Sequence, residues 1–111
     1  MYNSNFGKKY HPDQSLGDEF NLLTATPDFK DLYKPAVAYS SASNKFLVVW
    51  ESSIRGSGIS SIEGSFIPDE GVMSSNFILA QGNASWNYYT PDIAYLSSND
   101  QFLVVWVQED R

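Results

Sequence analysis

The sequence predicts an all-β fold made of two copies of one four-stranded antiparallel repeat. Three features indicate this class: a pattern that recurs along the chain, short apolar runs rich in β-branched and aromatic residues, and the lack of any longer segment with helical periodicity. With 42% hydrophobic and 15% aromatic residues, the 111-residue chain has the composition of a globular protein. Its length suits a single domain, residues 1–111.

The repeat aligns residues 35–50 with residues 91–106 without a gap, at the constant offset that separates Pro35 from Pro91. So many identities, with Trp and Pro among them, indicate a true repeat, with copies at about 1–51 and 59–107. Upstream, residues 21–25 lie at the same offset from 77–81. Residues 1–6 can be matched to 62–67 if the loop that follows is about five residues longer in the first copy. The identical pairs are Pro35/Pro91, Ala38/Ala94, Tyr39/Tyr95, Ser41/Ser97, Phe46/Phe102, Leu47/Leu103, Val48/Val104, Val49/Val105 and Trp50/Trp106.

Turn residues divide each copy into four short strands. Residues 41–44 and 97–100 are typical of hairpin loops, and 68–71 begins with Pro and ends with Gly, as β-turns often do. Pro35 and Pro91 are expected to open a strand, where a missing N–H is tolerated. The predicted strands are 1–6, 20–26, 35–40 and 45–51 in the first copy and 59–67, 76–81, 91–96 and 101–107 in the second.

The run Phe-Leu-Val-Val-Trp ends the matched segment in both copies. Continuous apolar runs are typical of strands covered on both faces, as in a sheet stacked between two others. A two-sheet sandwich, which usually alternates more cleanly, is the second choice. Trp50 and Trp106 are therefore expected to pack in the core.

The segment from Pro91 to Trp106, together with Ile-Glu-Gly-Ser-Phe-Ile at 62–67, resembles repeats of bacterial and archaeal β-propellers, distantly similar to sialidase-type and kelch-type blades. The resemblance implies propeller blades, with residues 91–95 innermost, 102–106 second, 62–67 third and 77–81 outermost. The sialidase Asp-box, the sialidase arginine triad and the paired glycines of kelch are missing, so the resemblance carries no activity.

Two blades cannot close a propeller, which needs four to eight. Each end of the pair would expose apolar side chains, so we expect a cyclic homo-oligomer, with a trimer favoured over a tetramer. The chain begins in a third strand and ends after a second strand, which would let one subunit complete a blade of another. Excision from a longer propeller is the alternative.

Charge and composition narrow the partners. A net charge of −6 with only seven scattered Lys and Arg residues argues against nucleic acid and anionic membranes. Cysteine is absent, and no apolar run reaches the roughly 18 residues of a membrane-spanning segment, so no membrane insertion is expected. The compartment stays open, with an extracellular or cell-surface location favoured.

Three loops, at 26–34, 51–58 and 82–90, would form the ligand-binding face. Aromatic side chains outside the strands could stack on sugar rings while polar groups hydrogen-bond to them. The other interpretation is that they cover the end of the propeller or pack between subunits. The predicted ligand-binding residues are Trp86, Tyr88, Tyr89, Phe29, Tyr33, Arg55 and Asp31, with Asp28, Asn83 and Asn87 as further polar partners.

No catalytic residue, metal site or cofactor is predicted. His11 is the only histidine, which argues against a zinc site or a Ser-His-Asp triad. Asp92 would open an inner strand near the channel, but its repeat partner is Ala36, which weakens a cation-binding acidic ring. The sequence thus favours a non-enzymatic binding module that recognises carbohydrate or protein. A glycosidase-like enzyme with an inter-subunit site and a structural segment of a larger surface protein are the alternatives.

Overall fold

The protein is all-β in the computed structural model, which describes residues 5–10, 16–23, 30–69 and 74–110, with side chains in the last two ranges. Within these ranges the chain forms three antiparallel sheets: a β1–β2 sheet, a central four-stranded sheet in the order β3-β4-β5-β6, and a β7–β8 sheet. The strands are β1 (Asn5–Tyr10), β2 (Leu16–Leu23), β3 (Lys30–Ser40), β4 (Lys45–Ile54), β5 (Ile59–Pro68), β6 (Phe77–Ala80), β7 (Trp86–Leu96) and β8 (Gln101–Asp110).

The hairpins β3–β4 and β7–β8 have the same register at the offset of the sequence repeat. Lys30 pairs with Ile54 as Trp86 pairs with Asp110, and every later pair follows the same rule. Both hairpins carry a bulge at the same place, and Lys34 and Thr90 have positive φ angles of 52° and 48°. The sequence repeat is therefore also a repeat of backbone conformation.

The bulge corrects the prediction that Pro35 and Pro91 open their strands. Both strands begin well before the proline, at Lys30 and Trp86, so each proline lies inside a strand, in the interval where the pairing is shifted. The ladder is interrupted there, and a residue without an N–H removes no hydrogen bond. Much of the predicted loops 26–34 and 82–90 is consequently strand.

The β1–β2 sheet repeats the outer half of the central sheet, β5–β6, at the offset that separates Gly7 from Gly64. The pair Gly7–Phe20 corresponds to Gly64–Phe77, and the register shift next to it is also reproduced. The predicted match of residues 1–6 to 62–67 is wrong, because it assumed an insertion that the strand pairing does not contain. Within the described residues the first two strands lie at 5–10 and 16–23; of the predicted strands 1–6 and 20–26, residues 1–4 and 24–26 lie outside the described part of the chain.

Strand β4 is buried on both faces, as its apolar run predicts. Val49 and Trp50 are fully buried, and Leu47 and Val48 nearly so. Val48 and Trp50 belong to one cluster with Leu32, Ile67 and the partly buried Phe46. Leu47 and Val49 alternate with these and lie on the opposite face of the strand.

The β7–β8 sheet packs on the face of the central sheet that carries Leu47 and Val49, because Leu47 pairs with Phe66 and Phe66 contacts Phe102 of β8. The ring centroids of Phe66 in β5 and Phe102 in β8 lie 6.2 Å apart. The ring of Phe102 also contacts the ring of Tyr95, in a tilted arrangement. The same run that is buried in β4 remains open in β8, where Trp106 is 37% exposed. The prediction of a core position is confirmed for Trp50 and wrong for Trp106, because in the described chain β8 is paired with β7 on one edge and with no strand on the other.

Candidate functional site

The candidate site lies at the end of the central sheet where β3 and β7 begin. We call this the loop end: the start of β3, the turn 55–58 between β4 and β5, and residues 81–87 that lead into β7. Arg55, Asp31 and Trp86 of the predicted site belong to it. Phe29, Asp28 and His11 lie outside the described residues.

Arg55 and Asp31 are brought together by the fold in an ion pair. The Nη2 of Arg55 lies 2.7 Å from Oδ1 of Asp31 and also donates to the carbonyl of Lys30, at 3.2 Å. Gly56 and Gly58, with φ angles of 81° and 73°, give the turn its shape. Both charged side chains are mostly buried, so their main role is to fasten the turn 55–58 to the start of β3.

Trp86 is held at the surface by a short turn formed with Asn83. The N–H of Asn83 donates to the carbonyl of Trp86 at 3.0 Å, and the side-chain Oδ1 of Asn83 accepts from the N–H groups of Ser85 and Trp86. Such a side-chain turn replaces backbone pairing and fixes the local conformation. The Trp86 residue remains 38% exposed on this rigid support.

Gly82 fixes the approach of this turn to the central sheet. A Cβ atom at Gly82 would lie 2.2 Å from the carbonyl oxygen of Ser60, a distance that no side chain can occupy. The N–H of Gly82 donates to Oγ of Ser61 at 2.8 Å. Asn87 is buried and accepts from the N–H of Ser60 at 3.0 Å. These contacts make Asn87 a structural residue rather than an available ligand partner.

The predicted tyrosines divide by exposure. Tyr33 is 36% exposed, whereas Tyr88 and Tyr89 are half-buried in β7. Within the described ranges, no ring contact joins Trp86 to Tyr88 or Tyr89. The fold therefore presents Trp86 by itself, without building one aromatic wall from all four residues.

Two buried carboxylates near the loop end were not singled out by the sequence. Glu63 accepts hydrogen bonds from Nζ of Lys30 at 2.5 Å and from Nε1 of Trp50 at 3.2 Å. Glu51 accepts from the N–H of Thr90 at 3.0 Å and so joins the central sheet to the bulge of β7. The sequence could have indicated these two residues, because an acidic residue within an apolar strand needs a hydrogen-bond or charged partner when it is buried.

The opposite end of the sheets is organised by Asp100 in the β7–β8 turn. Its carboxylate accepts from Oγ of Ser40 at 2.6 Å, Oγ of Ser43 at 2.5 Å and the hydroxyl of Tyr95 at 2.8 Å. These hydrogen bonds hold the pKa of Asp100 below its ordinary value of 3.8. Nearby, donation to Asp69 raises the pKa of the Tyr39 hydroxyl. This end is therefore a structural joint between two sheets.

Among residues 30–69 and 74–110, His, Asp and Glu side chains do not form a group of three suited to a metal ion. In the part of the chain that the structure describes, no helix has the length and apolar character needed to cross a membrane. No family model, curated protein or solved structure matches this chain.

Proposed function

We propose that this chain is a non-enzymatic binding module: a segment of a β-propeller that closes into a ring by self-association and binds carbohydrate at its loop end. The main observation in support of this proposal is that Trp86 is exposed on a turn whose backbone is held by Asn83. Because the backbone of this turn is held before binding, only the side-chain torsions of Trp86 have to be ordered when a sugar stacks on the ring.

The surroundings of Trp86 favour a neutral sugar. Ser85, next to Trp86, is exposed and offers a hydroxyl beside the indole. The net charge of −6 makes the chain a poor partner for sulfated or other polyanionic glycans, because like charges repel. A flat apolar face with a neighbouring polar group is the usual arrangement of a sugar-binding surface.

The carboxylates of Asp31, Glu51 and Glu63 at the loop end favour binding over hydrolysis, because each of them already has a hydrogen-bond or ion-pair partner in the fold. Asp31 is paired with Arg55, Glu63 with Lys30 and Trp50, and Glu51 with the N–H of Thr90. A glycosidase needs two carboxyl groups that face the scissile bond, one of them free to exchange its proton. Carboxylates already engaged in structural hydrogen bonds are poorly suited to that role.

The propeller part of the proposal is supported by two features. The strand registers recur at nearly constant offsets along the chain. The β7–β8 sheet packs on the central sheet mainly through β7, with a ring contact between Phe66 and Phe102, as successive repeats do when each covers its neighbour. Three chains would supply six blades, and we keep the trimer as the expected ring.

The proposal is tested by screening the full chain on an array of neutral glycans and measuring the best ligand by calorimetry. Trp86→Ala should lower affinity at least about tenfold, equivalent to about 1.4 kcal/mol, while Trp86→Phe should retain part of it. Ile78→Ala, which removes an exposed apolar side chain on β6, is the matched control and should bind normally. Absence of binding by the folded chain, or equal binding by Trp86→Ala and the control, would overturn the proposal.

A further inference from the structure

Strand β8 presents an apolar surface that its repeat partner β4 keeps buried. We call it the β8 surface: Leu103, Val105, Trp106 and Val107. The first three are 53%, 52% and 37% exposed, whereas their counterparts Leu47, Val49 and Trp50 are 4%, 0% and 0% exposed. Because the two strands share one sequence run, the difference comes from what surrounds each strand and not from the residues themselves.

The edge of β4 is covered by β5, and β8 has no such neighbour. Ten residue pairs, from Lys45–Pro68 to Ile54–Ile59, join β4 to β5, which is in turn paired with β6. In the described chain the β7–β8 sheet ends at β8. An open edge with apolar side chains on both faces is a template for pairing with another strand.

The counterpart of β5–β6 exists elsewhere in the same sequence, as the β1–β2 sheet. That sheet has the same register and the same irregularity as β5–β6, but within the described residues it lacks a counterpart of β4. In its own chain β1 approaches β3, in the central sheet. Compared with the central sheet, and counting the described strands alone, the β7–β8 sheet has no counterparts of β5 and β6, and the β1–β2 sheet has no counterparts of β3 and β4.

We propose that the β1–β2 sheet of a second copy of this chain pairs with β8 and completes its sheet. This inference rests on the proposed self-association and adds its geometry: an antiparallel pairing of β8 with β1 of the second copy, in the register that β4 and β5 already use. Head-to-tail repetition of this contact is a heterologous interface, which closes into a ring when the rotation from one copy to the next divides a full turn.

The register follows from the two offsets. Val49 pairs with Gly64, so Val105 should lie opposite Gly7 of the second copy, Trp106 opposite Phe6 and Val107 opposite Asn5. The glycine is informative. A Cβ at Gly64 would lie 3.0 Å from the carbonyl oxygen of Val48 and 3.3 Å from Cγ1 of Val49, so a side chain at this position would be crowded. The repeat keeps glycine at position 7, although most of β1 differs from β5.

The charges along the proposed junction are compatible with it. Strand β1 carries Lys8 and Lys9 and no acidic residue, while β8 carries Glu109 and Asp110 and no basic residue. In the proposed register Lys8 and Lys9 lie opposite Val104 and Leu103, away from Glu109 and Asp110, so the described part of the junction sets no like charges opposite each other.

Disulfide trapping tests this register, because the chain has no cysteine of its own. Directly opposed residues in an antiparallel pair have Cα atoms about 4.5–5.5 Å apart, within the range of about 4.4–6.8 Å that a disulfide spans. The double variant Asn5→Cys/Val107→Cys should therefore link one chain to the next. Under mild oxidation, non-reducing gels should show a ladder that stops at the number of copies in the ring.

The matched control is Asn5→Cys/Val105→Cys, which is displaced by two positions. That slip adds about 6.6–6.8 Å along the strand and keeps both side chains on the same faces, so the Cα atoms lie beyond disulfide reach. The unmodified chain is measured in parallel by sedimentation, as multiples of 12.5 kDa. The proposal predicts an oligomer, a ladder for the matched pair and almost none for the control.

The failures are distinguishable. An oligomer whose matched and displaced pairs cross-link equally, or not at all, overturns the strand pairing and leaves self-association standing. A monomer at all concentrations overturns both the pairing and the proposed ring. A disulfide that forms only within one chain overturns the exchange between copies. Loss of sugar binding by Trp86→Ala with an intact ladder concerns the loop end alone.

Discussion

The equivalent residues Val49 and Val105 allow the role of the repeat to be measured with one substitution made twice. Val49 is fully buried in β4, and Val105 is 52% exposed in β8. Replacing valine with alanine removes the equivalent of two methylene groups, each worth about 0.8 kcal/mol when fully buried. With the cost of the remaining cavity, Val49→Ala should destabilise the fold by about 2–2.5 kcal/mol. In a lone chain Val105→Ala should cost only about 0.8 kcal/mol, since half of its surface is already in water.

Association of copies should raise the cost of Val105→Ala and leave the cost of Val49→Ala unchanged. When a second copy covers β8, Val105 becomes buried as Val49 is, so the cost of Val105→Ala should rise to about 2 kcal/mol. The assay is urea unfolding followed by tryptophan fluorescence over about a hundredfold dilution series, with sedimentation at each concentration. The three tryptophans report on both strands, because Trp50 and Trp106 lie next to the substituted residues.

Two results would refute this reasoning. If the two substitutions cost the same where the chain sediments as a monomer, β8 is covered within its own chain and the exposure contrast is misleading. If the cost of Val105→Ala stays constant while the chain associates, copies meet through another surface. A Val49→Ala cost below about 0.5 kcal/mol would contradict the central core itself.

Three further outcomes are expected. Gly82→Ala should destabilise the fold by about 2–3 kcal/mol, because its Cβ would collide with the backbone of Ser60. Gly56→Ala, with open space around its Cβ but a φ of 81°, should cost about 1 kcal/mol. Thermal unfolding of both variants measures these costs, and equal costs would contradict the contact between residue 82 and Ser60. The carboxylate of Asp100 stabilises the fold above its ordinary pKa of 3.8, and this contribution should decline as the pH falls below that value toward the lowered pKa of the folded state. Urea midpoints should therefore fall more between pH 6 and pH 3 for the native chain than for Asp100→Asn, and parallel curves would refute the assignment. Glu63→Gln should cost about 1–3 kcal/mol in chemical unfolding, because it weakens the bonds from Lys30 and Trp50; an unchanged midpoint would show that these bonds add nothing.

The sequence repeat made most of the strands predictable. The ends of the strands and the exposure of their side chains were less predictable. Phe-Leu-Val-Val-Trp identified β4 and β8 correctly, because a continuous apolar run needs cover on both faces. The same run could not show that β8 is open, since exposure depends on which neighbours a strand has. Pro35 misled the placement of β3, because proline at a bulge and proline at a strand start satisfy the same backbone constraint.

The sequence predicted the exposure of the aromatic residue of the candidate site correctly, but not the role of its polar residues. Trp86 was named from its position outside the apolar runs, and it is exposed. Arg55 and Asp31 were named as hydrogen-bond partners for a ligand, but they bind each other. Two charges that far apart in the sequence give no sign of pairing until the strand register brings them together.

The hydroxyl groups around Asp100 distinguish the two repeats at the joint between sheets. Ser40 and Ser43 donate to this carboxylate, and the second repeat has Leu96 and Asn99 at the same positions. A joint between two second repeats would set Asp100 against Leu96 and leave this carboxylate without the hydroxyl donor that Ser40 supplies, which is costly. The serines thus mark the first repeat: they favour a joint between a first and a second repeat over a joint between two second repeats.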